Sequence, residues 1–190
     1  MYANQKGRLI MGRQQESKKY QLGEAFIILL RQEPLEKITI NQICNQAKVH
    51  RSTFYRHFED KFDLLRFCFQ AFMLENLDSQ NVIRSIVETI DGDHKLFRNV
   101  LINNLDVNLI DLMIDLLTET IIEGYHGQLR SEKLQNWLNS FLNASTDINM
   151  TARMLAGGIL TVLSDWIENN YQLSPEKIIE YFANFEEIFN

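Results

Sequence analysis

Residues 38–65 read ITINQICNQAKVHRSTFYRHFEDKFDLL, and the reading of this stretch decides what the rest of the chain is for. It has the pattern of two short helices joined by a three-residue turn, followed at once by the start of a third. Thr39 and Gln42 make a capping box, in which each side chain satisfies an amide donor that a helix start leaves without an intrahelical partner. Ile40, Ile43 and Ala47 recur at helical spacing and mark one buried face, with Cys44 beside Ile43. Val49, within the turn Lys48-Val49-His50, is placed to plug the gap between the two helices. The second helix, Arg51 to His57, turns Phe54 and then Phe58 inward. Its outward residues are Ser52 and Arg56, flanked by Thr53 and Tyr55, with Arg51 and His57 at the ends. Asp60 caps a longer helix that begins at Lys61.

This is a helix-turn-helix pattern, in which the first helix braces and the second lies in the major groove of DNA. The outward residue types suit that task. Arginine bonds a guanine edge, serine and threonine meet bases or phosphates, and tyrosine and lysine bond phosphate oxygens. On the pattern alone, an ordinary helical hairpin with a solvated polar face remains open.

The segment STFYRHFEDKFDLL resembles the DNA-binding domain of the TetR family of transcriptional regulators. In that family a three-helix amino-terminal domain ends in a Thr-Phe-Tyr-x-x-Phe run, then a Lys and an apolar pair opening the fourth helix. Here the run is Thr53, Phe54, Tyr55, Phe58, Lys61, Leu64 and Leu65, and the likeness covers roughly residues 20 to 66. Two positions depart from the family pattern. Lys48 stands where the turn usually has Gly, and carries a cost of about 1 kcal/mol if it adopts left-handed angles. Cys44 stands where the bracing helix usually has a small residue, commonly Ala.

The resemblance implies an all-α chain in which the three-helix DNA-binding domain is followed by a helical-bundle domain for ligand binding and dimerisation. The expected limits are a flexible leader over 1–15, the helix-turn-helix domain over 16–66, and the regulatory and dimerisation domain over 67–190. Arg51, Ser52 and Thr53 are expected to face bases, with Arg56 close to the groove. Thr39, Tyr55, His57 and Lys61 are expected on phosphates, with Lys48 joining them. The implied partners are a palindromic double-stranded operator, a second copy of the chain and a small-molecule effector. In the family the fourth helix links head to body, and a ligand-driven tilt of it resets the spacing of the two heads.

Charge divides the chain in the same place. Residues 1–70 carry 12 Lys and Arg against 7 Asp and Glu, a balance of +5. Residues 71–190 carry 7 against 18, a balance of −11, so the formal net charge of −6 hides a basic head on an acidic body. That is the footprint of a chain touching nucleic acid with one end. Cys44 and Cys68 sit among apolar helix residues, where thiols are usually inert, and fit a reducing, cytoplasmic setting better than a redox switch. Runs such as AFIILL and AGGILTVL are too short to span a membrane.

The leader holds Lys6, Arg8 and Arg13, and reads either as disordered or as an arm reaching the minor groove. A first helix is predicted over Glu16 to Gln32, with Leu22, Ala25, Phe26, Leu29 and Leu30 as its buried stripe and Glu33-Pro34 as its stop. The fourth is predicted from Lys61 to about Leu77. Further helices are expected near 80–90, 94–103, 106–126, 131–143, 147–170 and 175–189, with breaks at Asp91-Gly92-Asp93, Gly124 to Gly127 and Asn143 to Thr146. Ser174-Pro175-Glu176 is a helix start, with a Ser cap, Pro first and acid in the first turn.

Met154 to Leu163 is apolar or small nearly all round, and Ala156, Gly157 and Gly158 would let another backbone approach. The last helix carries Phe182, Phe185 and Phe189 in a stripe wider than one neighbour needs. A homodimer of four paired helices, using Met154, Gly157, Gly158, Phe182, Phe185 and Phe189, accounts for both; completion of the monomer's own core is the alternative. Effector contacts are sought at His94, Met113, Tyr125, His126, Trp137, Phe141 and Trp166, large or polar groups in apolar helices, each of which also suits a core or surface role. No enzyme constellation, cofactor loop or zinc spacing is found in the chain. An activator or co-regulator of the same fold, or a helical carrier that has lost operator binding, stays open beside the repressor reading. The turn departure at Lys48 favours the carrier.

Overall fold

The apolar stripe Leu22, Ala25, Phe26, Leu29 and Leu30 is buried along its whole length, and it sets the inward face of α1 (17–30). The structure is a computed structural model that describes residues 17–73, 82–103, 107–126 and 136–188; among these every regular element is a helix. After α1 the chain leaves helical angles at Pro34 (φ −57°, ψ 146°) and makes one tight turn, Leu35–Lys37, whose Leu35 is buried.

The decisive stretch folds as its spacing predicts. Helix α2 (Ile40–Gln46) opens on Thr39 with both halves of the capping box formed. Helix α3 (Arg51–His57) buries Phe54, and α4 (Lys61–Cys68) opens on Asp60, whose carboxylate accepts from the amides of Phe62 and Asp63 at 2.8 and 2.9 Å. A wider π-helical turn, Phe69–Met73, continues α4; residues 74–77 of the expected helix lie outside the described part.

α1 and α4 lie very close at Gly23. A Cβ there would come within 2.7 Å of the Phe72 ring and 3.4 Å of the Cys68 sulfur, so the missing side chain leaves room for these two side chains against α1.

The body comprises α5 (Val82–Gly92), α6 (His94–Phe97, continued by a second π turn, Arg98–Ile102), α7 (Val107–Tyr125), α8 (Asn136–Asn143), α9 (Ile148–Glu168) and α10 (Pro175–Ile188). α7 runs along α9 over the most extensive helix contact, and α10 closes on α5 and α8. Gly92 and Gly124, expected among the breaks, are both helical. Glycine weakens a helix by only about 1 kcal/mol, so it does not end one without a left-handed turn or a following cap. The first of these breaks comes at Asp93, which caps α6.

Head and body are tied across their seam as well as through α4. Arg31 pairs with Asp93, Arg66 with Glu119 at 3.3 Å, and the Asn99 amide donates to the Leu30 carbonyl at 2.8 Å.

Candidate nucleic-acid interface

The turn between α2 and α3 is fixed by hydrogen bonds from its backbone and from α1. Lys48 takes a left-handed conformation (φ 52°), as feared for a non-glycine residue at this place. Its amide donates to the Asn45 carbonyl at 3.1 Å, and that of Val49 to the Cys44 carbonyl at 3.0 Å. This pair of bonds is a Schellman ending, which satisfies carbonyls that a helix end otherwise leaves open. The Gln21 side chain of α1 adds a third, donating to the Ala47 carbonyl at 2.7 Å. Val49 then packs, half-buried, against the core.

With Phe54 fully buried and Phe58 at 3 % exposure, the other face of α3 is fixed outward. Arg51, Ser52, Tyr55 and Arg56 are exposed, and Thr53 and His57 are half-buried. Arg51 is held in place before any DNA arrives. One terminal nitrogen donates to the Tyr55 hydroxyl at 2.9 Å, another to Asn41 Oδ1 at 3.3 Å, and the guanidinium lies 5.4 Å from the Tyr55 ring centre. Asn41 thus belongs to this face, although the sequence reading passed over it. Its place one residue inside the capped start of α2 was the available signal. Thr39 and Lys48 are exposed beside it, the Thr39 hydroxyl already engaged with Gln42.

Two expected phosphate contacts sit differently. The Lys61 ammonium donates to three carbonyls, of Leu35 at 2.8 Å, Glu36 at 3.2 Å and Ile38 at 3.1 Å. An ammonium has three N–H donors. Lys61 therefore braces the link between α1 and α2 from the start of α4, and the geometry does not fit a phosphate contact. His57 has its Nε2 buried without a hydrogen-bond partner, and burial, then Lys19 and Arg56, hold its imidazole below the ordinary histidine pKa.

The residues considered for effector binding do not converge. His94 is on the surface, stacked on Tyr171 at 3.6 Å, with Nε2 3.0 Å from Asp91. Trp166 is buried and its indole donates to the Leu173 carbonyl at 2.8 Å, which gives it a structural role. Tyr125 donates to Asn143 at 3.0 Å, His126 is exposed, and Phe141 packs half-buried on the core. Met113 lines a partly open cavity of ≈ 380 Å³ between head and body, and Trp166 borders a separate, more open groove of ≈ 750 Å³ between α9 and α10. The Trp137 side chain lies outside the described part. Tyr171, which joins His94 to the edge of Trp166, was missed; the Asn169-Asn170 pair before it was the available signal for the left-handed backbone that Asn170 and Tyr171 adopt (φ 54° and 57°).

On the dimer candidates, Met154 is 60 % exposed, and nothing lies within 4 Å of a Cβ built at Gly157 or Gly158. Met150, 72 % exposed, extends that open stripe of α9. Phe182 is a correction: it is 4 % exposed and belongs to the monomer's core, because α10 turns it toward its neighbours within the chain. The Phe185 side chain and all of Phe189 lie outside the described part. Cys44 and Cys68 are buried, and burial pushes the Cys68 thiol up to about 12. No described helix is long and apolar enough to cross a membrane.

Comparison with known proteins agrees with this geometry. Residues 25–67 match the model of the bacterial regulatory proteins of the tetR family, and residues 78–186 match that of a transcriptional regulator C-terminal region. A stretch of 50 residues, 26 % of this chain, is 38 % identical to the HTH-type transcriptional regulator YxbF of Bacillus subtilis (strain 168), and covers only 13 % of that protein. Among solved structures, the dihydroxyacetone kinase operon activator DhaS shares the fold. It has a TM-score of 0.59 at 17 % identity over 90 % of this chain and 96 % of its own. The fatty acid degradation regulator FadR of Bacillus halodurans is more distant, with a TM-score of 0.47 at 17 % identity over 86 % of this chain and 91 % of its own. With a regulator head and body matched over most of its length, the chain belongs to the TetR family of DNA-binding transcriptional regulators.

Proposed function

We propose that this protein is a homodimeric, cytoplasmic transcriptional repressor that binds a palindromic operator and is released from it by a small-molecule effector, with no catalytic activity of its own. The observation that carries the reading is the outward face of α3, presented by a locked turn and by Phe54 and Phe58 anchored beneath it. Arg51, Ser52 and Thr53 meet base edges, with Arg56 close to the groove. Thr39, Lys48 and Tyr55 lie toward the phosphates, while His57, with its Nε2 buried, does not, and Asn41 orients Arg51. The formed Schellman turn at Lys48 supports a working head and removes the reason to favour a carrier that has lost operator binding.

Support for the dimer is the open, apolar stripe Met150, Met154, Gly157 and Gly158 on α9. A twofold pair of heads suits two half-sites one helical turn apart. Deleting the gene should raise output from its target promoter, whereas a fall would mean an activator of the same fold. The contact assignments are tested by salt titration of operator binding. Each lost phosphate contact lowers the slope of log K against log salt by about 0.9. Unchanged slopes on replacing both Tyr55 and Lys48 would remove them from the phosphate set.

A further inference from the structure

We infer that the cavity at the seam between head and body is a binding site for an uncharged, apolar molecule of roughly a dozen non-hydrogen atoms. Its volume is ≈ 380 Å³, which at about 30 Å³ per atom, the share of a water in the liquid, gives that size. The volume also lies within the range of built ligand pockets, about 300–1,000 Å³.

The walls define the chemistry. On the head side they are α1, through Ile27 and Leu30, and α4; on the body side they are α5, α6 and α7. Of the polar side chains on the wall, each is already bonded within the chain. Arg31 and Asp93 pair with each other, the Thr89 hydroxyl donates to the Ser85 carbonyl at 2.6 Å, and the Cys68 thiol lies 3.7 Å from the Gly23 carbonyl. A charged ligand would meet no unpaired counter-charge on these walls and would give up part of its hydration against an apolar lining. An apolar one loses nothing by the exchange.

A second feature marks the same place. Both π turns of the described chain border this cavity, the first through Phe69 and Phe72 and the second through Val100. Such turns widen a helix at the expense of its regular hydrogen bonds, and recur at functional sites. Gly23 belongs to the same arrangement, since its missing Cβ leaves room for the Phe72 ring on the wall. An occupant would touch α1 of the head and α5 to α7 of the body together. It would therefore bias how the head sits, and only this consequence rests on the effector-released reading above.

Naphthalene is a suitable probe, with 2-naphthoate as its charged counterpart. At ten times Kd, naphthalene should raise the Tm of the full chain by roughly 3–6 °C, and 2-naphthoate should not. In methyl spectra the Met113 signal should move on titration, while the exposed Met150 and Met154 stay. Val100→Phe and Ile27→Trp fill the cavity from opposite walls, so that one variant serves if the other does not fold, and each should abolish the Tm rise. The inference is overturned if Met150 and Met154 respond and Met113 does not, if a folded filled variant keeps the full rise, or if 2-naphthoate stabilises equally. A protein that takes up naphthalene yet binds no DNA would sink the regulator reading and leave the cavity assignment standing. An operator binder that shows no response to naphthalene would do the reverse.

Discussion

Replacing Lys61 by methionine separates two roles for one charge. In the structure its ammonium serves the carbonyls of Leu35, Glu36 and Ile38, at 2.8, 3.2 and 3.1 Å. Hydrogen bonds to a charged group contribute about 1.5–3 kcal/mol each when fully formed. Here three bonds share one ammonium at a partly exposed site, where water can replace some of them, so a total of about 2–3 kcal/mol is reasonable. Lys61 is also the first residue of α4, where a positive charge is disfavoured by about 0.3–1 kcal/mol, and methionine relieves that. The net loss is about 2 kcal/mol, or roughly 4–8 °C in Tm for a chain of this size. Urea unfolding should show a lower midpoint at unchanged m, while the salt slope of operator binding stays that of the wild type. If the stability is unchanged and the slope falls by about 0.9, the ammonium faces a phosphate and the reasoning fails.

Other outcomes follow from the same geometry. Lys48→Gly relieves a left-handed lysine at φ 52°; the gain of about 1–2 kcal/mol, less about 0.5–1 kcal/mol for glycine's greater freedom when unfolded, should raise the urea midpoint slightly. A lower midpoint would show that the lysine is not strained there. Phe54→Ala empties a fully buried site and should cost about 3–5 kcal/mol, read as loss of the head's cooperative unfolding and of operator binding together. With its thiol pushed to about 12 and buried, Cys68 should react with a thiol reagent only as fast as the chain opens; rapid labelling under native conditions would contradict its placement. His57 is held below the ordinary value of about 6.5, so the unfolded chain binds the proton more readily. Stability should therefore fall as pH drops below about 6.5 and level off once the depressed folded value is passed. His57→Phe should flatten that fall, and an unchanged pH profile would refute the assignment.

Much of the head was legible because its signals are local. A capping box, an Asp cap and two inward phenylalanines each depend on neighbours within four residues, and all form as read. The destination of Lys61 was not legible, since its partners lie 23 to 26 residues earlier and only the packing of α4 on the α1–α2 link brings them near. The same holds for Phe182. Its place in a wide apolar stripe was visible, but which side of that stripe the chain itself covers depends on how α10 meets α5 and α8. The effector candidates were chosen by residue type, and residue type is a poor guide where a tryptophan's indole is already satisfied by a nearby carbonyl. The cavity is instead walled mainly by ordinary apolar residues from five helices, which no single stretch of sequence announces.

The central claim, that α3 of a twofold pair reads DNA, is tested most directly by selecting from random duplexes with the full-length protein at about 0.15 M salt, where screening suppresses loose electrostatic binding. The account predicts enrichment of a palindrome whose half-site centres lie about 10–10.5 base pairs apart or a multiple of that, and its loss on replacing Arg51 with alanine. A folded protein that enriches no sequence, or one whose selected site is indifferent to Arg51, would contradict it.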